Sequence, residues 1–84
     1  QAEDAIKRVR EQEVSYFDSA GNRQSYRLSS ANELTAGELV TYVIPSISQP
    51  DSLEFHIAWE IAVSNAPFKT VYVDVLKDEI IGAK

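Results

Sequence analysis

Apolar and polar residues alternate without interruption from position 53 to position 63, and this run constrains the fold more than any other feature. The odd positions are all large and apolar, namely Leu53, Phe55, Ile57, Trp59, Ile61 and Val63. The even positions are small or charged, and include Glu54, His56 and Glu60. Because successive side chains of a β-strand point to opposite faces, the run predicts a long strand with one face in a hydrophobic core. The even positions are predicted to meet water.

The start of the chain predicts a helix over residues 2–13. Ala5, Ile6 and Val9 recur at helical spacing and form a narrow apolar stripe. Acidic residues precede basic ones by four positions on the same segment, which adds a little helix stability. A helix this short is marginal alone, so it needs a sheet to cover.

Further strands are predicted around the long one. Residues 14–28 predict a hairpin about the turn-forming segment 18–22, although Phe17 breaks the alternation and leaves an irregular loop as the alternative. The polar segment 29–37 predicts at most one short helical turn, ended by Gly37. Three more runs of β-branched and aromatic residues predict strands at 38–44, 68–74 and 79–82.

These elements predict an α+β fold. Neighbouring strands joined by short loops pair antiparallel, and one helix precedes them. We therefore predict a single domain over residues 1–84, with the N-terminal helix packed on an antiparallel sheet of about four to five strands. The apolar face of the long strand should lie against the helix, with Trp59, Phe55 and Ile57 beneath it.

Composition excludes several classes of function. The 84 residues carry a net charge of −5 without a cluster of Lys or Arg, so double-stranded nucleic acid and anionic membranes would repel the chain. No apolar run approaches the roughly 20 residues that cross a bilayer. No signal peptide is recognisable at the start. The absence of cysteine excludes disulfides and thiolate metal sites.

Catalytic and metal sites are not predicted. Glu54, His56 and Glu60 share the solvent face of one strand, but catalytic zinc needs three oriented protein ligands and the chain has one histidine. The chain also lacks a Gly-x-Ser-x-Gly elbow, a glycine-rich phosphate loop and a His-Glu-x-x-His helix. We therefore predict no catalytic residue, no metal and no cofactor, and a protein that is not an enzyme.

The later half of the chain resembles a known family. Its pattern resembles the C-terminal half of PepSY-type domains, most of all the fungalysin and thermolysin propeptide type. The residues that carry the resemblance are the segment 53–63, the strand 71–74 and the ending Glu79-Ile80-Ile81. The run Glu38-Leu39-Val40-Thr41-Tyr42 with Pro45 resembles the preceding strand of that family. The resemblance covers about residues 38–82.

Two positions near the end of the chain matter for the resemblance. Asp78 stands where the family has a turn glycine, and we expect it to adopt the left-handed conformation that Asp tolerates. Asp74 closes a strand and is expected to accept backbone N–H bonds from the following turn.

The resemblance implies an exported bacterial module, placed outside the cell, in the periplasm or in the cell envelope. Its expected partner is another protein, with a secreted metallopeptidase as the candidate that it inhibits or helps to fold. The candidate partner-binding face comprises Glu54, His56, Glu60 and Tyr72, with an edge of the sheet beside it. Tyr72 either faces the partner or packs across the strands against that face.

A different class of function stays open beside this one. A cystatin-like helix-on-sheet domain would bind a small ligand or a cell-envelope component in the curve of its sheet. An apolar pocket between helix and sheet would favour this alternative.

Overall fold

The computed structural model describes residues 2–46 and 48–84, without the side chain of Ala2. Over these residues the chain forms helix α1 (Ala2–Val9) and six strands: β1 (Glu13–Phe17), β2 (Arg23–Arg27), β3 (Leu34–Pro45), β4 (Leu53–Val63), β5 (Thr70–Asp74) and β6 (Ile80–Ala83). They form a two-stranded sheet, β1-β2, and a four-stranded sheet in the order β3-β4-β5-β6. All pairs are antiparallel. The predicted α+β class is confirmed: the sheet that was expected to have about four to five strands has four, and the two hairpin strands form a sheet of their own.

Helix α1 packs on the four-stranded sheet through Ala5 and Val9, which are fully buried. It ends at Val9, four residues before the predicted limit, because Glu11 adopts a left-handed backbone conformation with φ of 69°. The side-chain amide of Gln12 donates to the carbonyl of Arg8 at 2.9 Å and satisfies one helix-end acceptor. Among the described residues, no helix has the length and apolarity that crossing a membrane requires.

The predicted hairpin is confirmed by the pairing of β1 with β2. In its turn, the carboxylate of Asp18 accepts the backbone N–H groups of Ala20 and Asn22 at 3.0 and 2.9 Å. The bond from Asn22 contributes most to holding the pKa of Asp18 below its usual value. Gly21 supplies the positive φ of 83° that closes the turn.

The segment between β2 and β3 contains no helical turn. It is organised instead by Asn32, which is buried. The Asn32 amide nitrogen donates to the backbone carbonyls of Ser64 and Asn65 at 2.8 and 3.1 Å, and its oxygen accepts the Ser29 N–H at 3.0 Å. Asn32 therefore ties the β2–β3 connection to the turn between β4 and β5.

Strand β3 begins earlier than predicted and contains a β-bulge. The pairing partner of Ala36 is Ile61 and that of Leu39 is Trp59, so one extra residue is accommodated in β3 between them. A side chain at Gly37 would place its Cβ 2.4 Å from the carbonyl oxygen of Glu60, so the bulge requires glycine there. Gly37 thus lies inside a strand, whereas the sequence suggested that it ends a helical turn.

The hydrophobic core lies between α1, the hairpin and the second half of β4. Its fully or nearly buried members are Ala5, Val9, Val14, Leu28, Ile61, Val63, Phe68, Val71 and Val73. The Phe68 ring packs against the rings of Tyr16 and Tyr26, with centroid distances of 5.4 and 5.7 Å. Val71 and Val73 of β5 are both fully buried in this core.

The first half of β4 is not part of this core. Trp59 is half-buried and packs against the core, but Phe55 and Ile57 are 70% and 49% exposed. The prediction that Phe55 and Ile57 lie beneath the helix is therefore wrong. The reason is length: an eight-residue helix spans about 12 Å, while an eleven-residue strand spans about 36 Å.

Candidate functional site

Beyond the reach of α1 and β5, the strands β3 and β4 continue as a two-stranded ribbon. We term residues 39–45 and 53–57 the distal ribbon; residues 41–45 pair with 53–57, and Leu39 and Val40 pair with Trp59 and Ala58. Of the residues of β4, only Ala58–Ala62 pair with β5. Just beyond β5, the Val75 N–H donates to the Ile57 carbonyl at 3.1 Å. Within the described residues, no strand therefore pairs with residues 53–56 on the β5 side of β4. No strand pairs with residues 39–45 on the side of β3 that faces away from β4 either.

One face of the distal ribbon is apolar and open to solvent. Register places Val43 opposite Phe55 and Thr41 opposite Ile57, so these side chains share a face. We term its large apolar members the apolar face; they are between 44% and 70% exposed, and comprise Leu39, Val43, Leu53, Phe55 and Ile57. A group of large apolar side chains on adjacent strands is typical of a surface that another molecule covers.

A groove connects the apolar face to the helix. It has a volume of about 410 Å³ and is lined by Leu39, Trp59 and Val75 on its apolar side and by Asp4, Arg8 and Asp78 on its polar side. The Arg8 guanidinium donates to the Asp78 carboxylate at 2.8 Å across one end. Leu39 belongs to the groove and to the apolar face, so the two surfaces are continuous.

The opposite face of the sheet carries the four residues predicted to bind a partner. His56 lies between two carboxylates: its Nδ1 is 2.7 Å from Asp74 Oδ2 and its Nε2 is 3.2 Å from Glu54 Oε1. The bond with Asp74, followed by that with Glu54, raises the pKa of His56 above its usual value despite partial burial. A protonated imidazole would satisfy both carboxylates at once.

Asp74 is held by the turn that follows it. Its carboxylate accepts the Leu76 N–H at 2.8 Å and the Lys77 N–H at 3.3 Å, as the sequence predicted. Burial acts to raise the pKa of Asp74, but the hydrogen bonds from Leu76, His56 and Lys77 outweigh it and lower this pKa. Asp78 has a φ of 55°, so the left-handed conformation expected at the glycine position is confirmed.

Tyr72 and Glu60 form a second cluster on the same face. Tyr72 is only 8% exposed, and its hydroxyl donates to Glu60 Oε2 at 3.2 Å. Its ring lies 4.6 Å from that of Tyr42, and the Lys84 ammonium sits 5.7 Å from the Tyr72 centroid. Of the two roles open for Tyr72, the geometry supports cross-strand packing, because little of its ring is accessible to a partner.

The arrangement around His56 does not form a metal site. The two carboxylates lie on different ring nitrogens of the imidazole, so they do not converge on one point with it. In the described part of the chain, no three His, Asp or Glu residues are grouped so that they could hold a metal ion.

The titration of His56 tests this geometry. Because the chain has a single histidine, its imidazole resonances in an NMR titration report His56 alone. We expect its pKa to lie above 6.5 and to fall toward that value in Asp74→Asn, where the amide oxygen can still accept the turn N–H groups. A wild-type pKa at or below 6.5 would contradict the structure.

The same pair sets a pH dependence of stability. A raised His56 pKa stabilises the fold fully below pH 6.5, and this contribution is lost as the pH rises through the folded-state value. A lowered Asp74 pKa stabilises above pH 3.8 and is lost as the pH falls through its folded-state value. The contribution of the pair is therefore largest between these limits, and His56→Gln should reduce stability most in that window when unfolding by urea is compared across pH.

Sequence reasoning missed the apolar face. It assigned every odd residue of the segment 53–63 to the core, although only Ile61 and Val63 are buried there. The lengths of the elements carried a signal: neither the predicted helix nor the predicted following strand was long enough to cover the whole segment. Glu54, His56, Glu60 and Tyr72 do lie on one face, but their polar atoms are engaged with neighbouring side chains.

Comparison of this chain with protein-family models, curated proteins and solved structures gives no match in any of the three.

Proposed function

We propose that this chain is a non-enzymatic, exported protein-interaction module that restrains or assists the folding of a metallopeptidase, in the manner of a propeptide. The observation that carries the proposal is the apolar face of the distal ribbon. Five large side chains on two paired strands are 44% to 70% exposed to water when only the described residues surround them. Burying these side chains against a partner would remove their apolar surface from water and so stabilise the complex.

The position of this face suits a partner-binding role. The hydrophobic core does not include this face: Ile61, Val71 and Val73 are fully buried in the core without it. A partner can therefore cover the distal ribbon without disturbing the fold. The resemblance to propeptides of thermolysin-like enzymes supplies the candidate class of partner and the exported location.

The polar face contributes a second, smaller set of candidate contacts. The Glu54 side chain is 43% exposed, whereas the His56 side chain is 21% exposed. We expect Glu54 and Glu60 to steer a basic partner through their charge. Tyr72 lies on this same face and packs against the ring of Tyr42.

The groove beside α1 favours a second candidate function. A cystatin-like domain that binds a small ligand would use a cavity between helix and sheet, and the groove of about 410 Å³ lies there. Half of its lining residues are ionisable, which suits a ligand with an apolar body and charged groups. Trp59 lies in the wall and is the only tryptophan, so its fluorescence would report such a ligand.

An inhibition titration tests the first function. A purified thermolysin-like peptidase is assayed with a fluorogenic peptide at increasing concentrations of the chain. We expect saturable inhibition that Phe55→Ser weakens by at least about tenfold, because a buried aromatic anchor is worth more than 1 kcal/mol in a typical interface.

Phe17→Ser provides the matched control. Phe17 lies on the hairpin and is 71% exposed, against 70% for Phe55, so the same substitution removes the same exposed ring elsewhere. Phe17→Ser should inhibit as the wild type does. Absence of inhibition, or equal loss in the two variants, would contradict the proposal, and a change of Trp59 fluorescence with a small ligand alone would favour the second function.

A further inference from the structure

Between its β-bulge at Gly37 and its end at Pro45, the outer edge of β3 lacks the protection that edge strands usually carry. Strand β3 is the first strand of the four-stranded sheet, and beyond β4 no strand of the described chain pairs with it. From Leu39 to Ile44 it contains no charged residue and no proline, and it is rich in β-branched and aromatic residues. Exposed edge strands in soluble proteins are ordinarily protected by lysine, proline, a β-bulge or short length, because their unpaired N–H and C=O groups can otherwise pair with a strand of another chain.

The charges on the β3–β4 pair itself have one sign. All eight Lys and Arg residues of the chain lie outside residues 28–68, whereas this segment contains Glu33, Glu38, Asp51, Glu54 and Glu60. Two basic groups from elsewhere approach β3: the Lys84 ammonium lies 5.6 Å from the Tyr42 ring centroid, and Arg8 lines the groove beside Leu39, where it is paired with Asp78. The β3–β4 pair nevertheless contributes only acidic side chains. A strand added to β3 would meet negative charge, apolar side chains and unpaired backbone groups together.

We propose that the edge of β3 binds an extended, cationic segment of a partner protein, in which apolar residues alternate with Lys or Arg. The inference rests on the proposed function as a protein-interaction module and names the chemistry of the bound segment. Such a segment would become an additional strand of the sheet, held by backbone hydrogen bonds.

The alternation follows from the two faces of β3. Residues Leu39, Thr41 and Val43 belong to the apolar side, so one set of side chains on the added strand would extend the apolar face. The other set would lie beside Val40, Tyr42 and Ile44. Glu54 of β4 lies opposite Ile44. Glu54 is therefore two strand spacings, or about 10 Å, from the added strand. Long Lys or Arg side chains can cover apolar neighbours while their charged ends approach such a carboxylate.

A second copy of the chain fits this edge less well. Pairing two β3 strands would bring two β3–β4 pairs together, each with Glu38, Glu54 and Glu60 and without a Lys or Arg of its own. Like charges that face each other across an interface oppose association. The acidic β3–β4 pair therefore favours a basic segment over self-pairing.

Binding of designed peptides to the full chain tests the proposal. The probe is an acetylated peptide of about ten residues that alternates Lys and Val, long enough to pair with a strand of ordinary length. One control alternates Glu and Val, and another alternates Lys and Gly to keep the charge without apolar or β-forming side chains. Affinity is measured by calorimetry, and the contact site by amide chemical-shift changes in NMR spectra.

We expect saturable binding of the Lys–Val peptide, with the largest amide shifts at residues 39–45, and binding at least about tenfold weaker for either control. Raising the salt concentration from about 0.05 M to about 0.5 M should weaken the Lys–Val complex, because salt screens the attraction between the lysines of the peptide and the acidic residues of the β3–β4 pair. The variant Val43→Lys should reduce affinity by at least about tenfold. Ala20→Lys adds the same charge at an exposed hairpin turn and should have little effect.

Several results would overturn the proposal. They are the absence of saturable binding, equal binding of the Lys–Gly peptide, amide shifts outside β3, or a wild-type dimer that Val43→Lys dissociates in sedimentation. If Val43→Lys alters amide shifts throughout the domain, the double variant Glu38→Gln/Glu54→Gln replaces it and must weaken binding several-fold. Peptidase inhibition with no peptide binding would reject this ligand class while leaving the proposed function intact.

Discussion

Ile61→Ala is expected to lower the free energy of unfolding by about 3 kcal/mol, a large share of the stability of a small domain. Ile61 is fully buried in the second half of β4, where it belongs to the hydrophobic core. Removing three methyl or methylene groups there loses hydrophobic burial and leaves a cavity that the surrounding strands fill only in part. Urea unfolding followed by tryptophan fluorescence or far-UV circular dichroism measures the change.

Phe55→Ala is the matched control for this prediction. Phe55 lies on the same strand and the same face as Ile61, six residues away, but is 70% exposed. We expect it to change the free energy of unfolding by less than about 0.5 kcal/mol, as most exposed substitutions do. Equal losses in the two variants would mean that the distal ribbon is covered in solution, and the description of the apolar face would be wrong.

Asn32→Asp is expected to lower the free energy of unfolding at neutral pH by about 3 kcal/mol. The side chain keeps its size, so no cavity forms. The amide nitrogen that donates to the carbonyls of Ser64 and Asn65 becomes a carboxylate oxygen that faces them in a buried site. The loss should shrink as the pH falls, because a protonated carboxyl group can again donate to one carbonyl.

The pH profile separates this mechanism from a general weakening of the loop. Each variant is compared with the wild type at the same pH in urea unfolding, so that other titrating groups cancel. Asn22→Asp, at an exposed turn position of the hairpin, should cost little at any pH. A loss for Asn32→Asp that does not depend on pH would show that the hydrogen bonds to Ser64 and Asn65 are not its cause.

Much of the secondary structure could be predicted because it depends on local patterns. The bounds of β4 agree with the alternating segment 53–63, since a period of two is compatible only with an extended chain. The hairpin was recognisable from its turn residues, and Asp18 and Gly21 supply the bonds and the dihedral angle that such turns need. The roles of Asp74 and Asp78 were likewise predicted from short-range chemistry.

The misjudged elements depend on distant residues. The first part of β3 was missed because the bulge opposite Glu60 interrupts the alternation, and a bulge is defined by the partner strand. Asn32 reads as a loop residue in the sequence, and its importance arises from carbonyl groups more than thirty positions away. Likewise, the carboxylate that accompanies Glu54 at His56 is Asp74, which lies on the neighbouring strand.

The sequence by itself determined most of the strand residues and which side of β4 carries the large apolar side chains, because both follow from the chemistry of adjacent residues. Only the tertiary structure decided which part of the apolar side is buried. Burial requires a covering element of sufficient reach, and α1 and β5 cover Ile61 but stop short of Phe55. The surface that carries the proposed function is therefore set by where the helix and the neighbouring strand end.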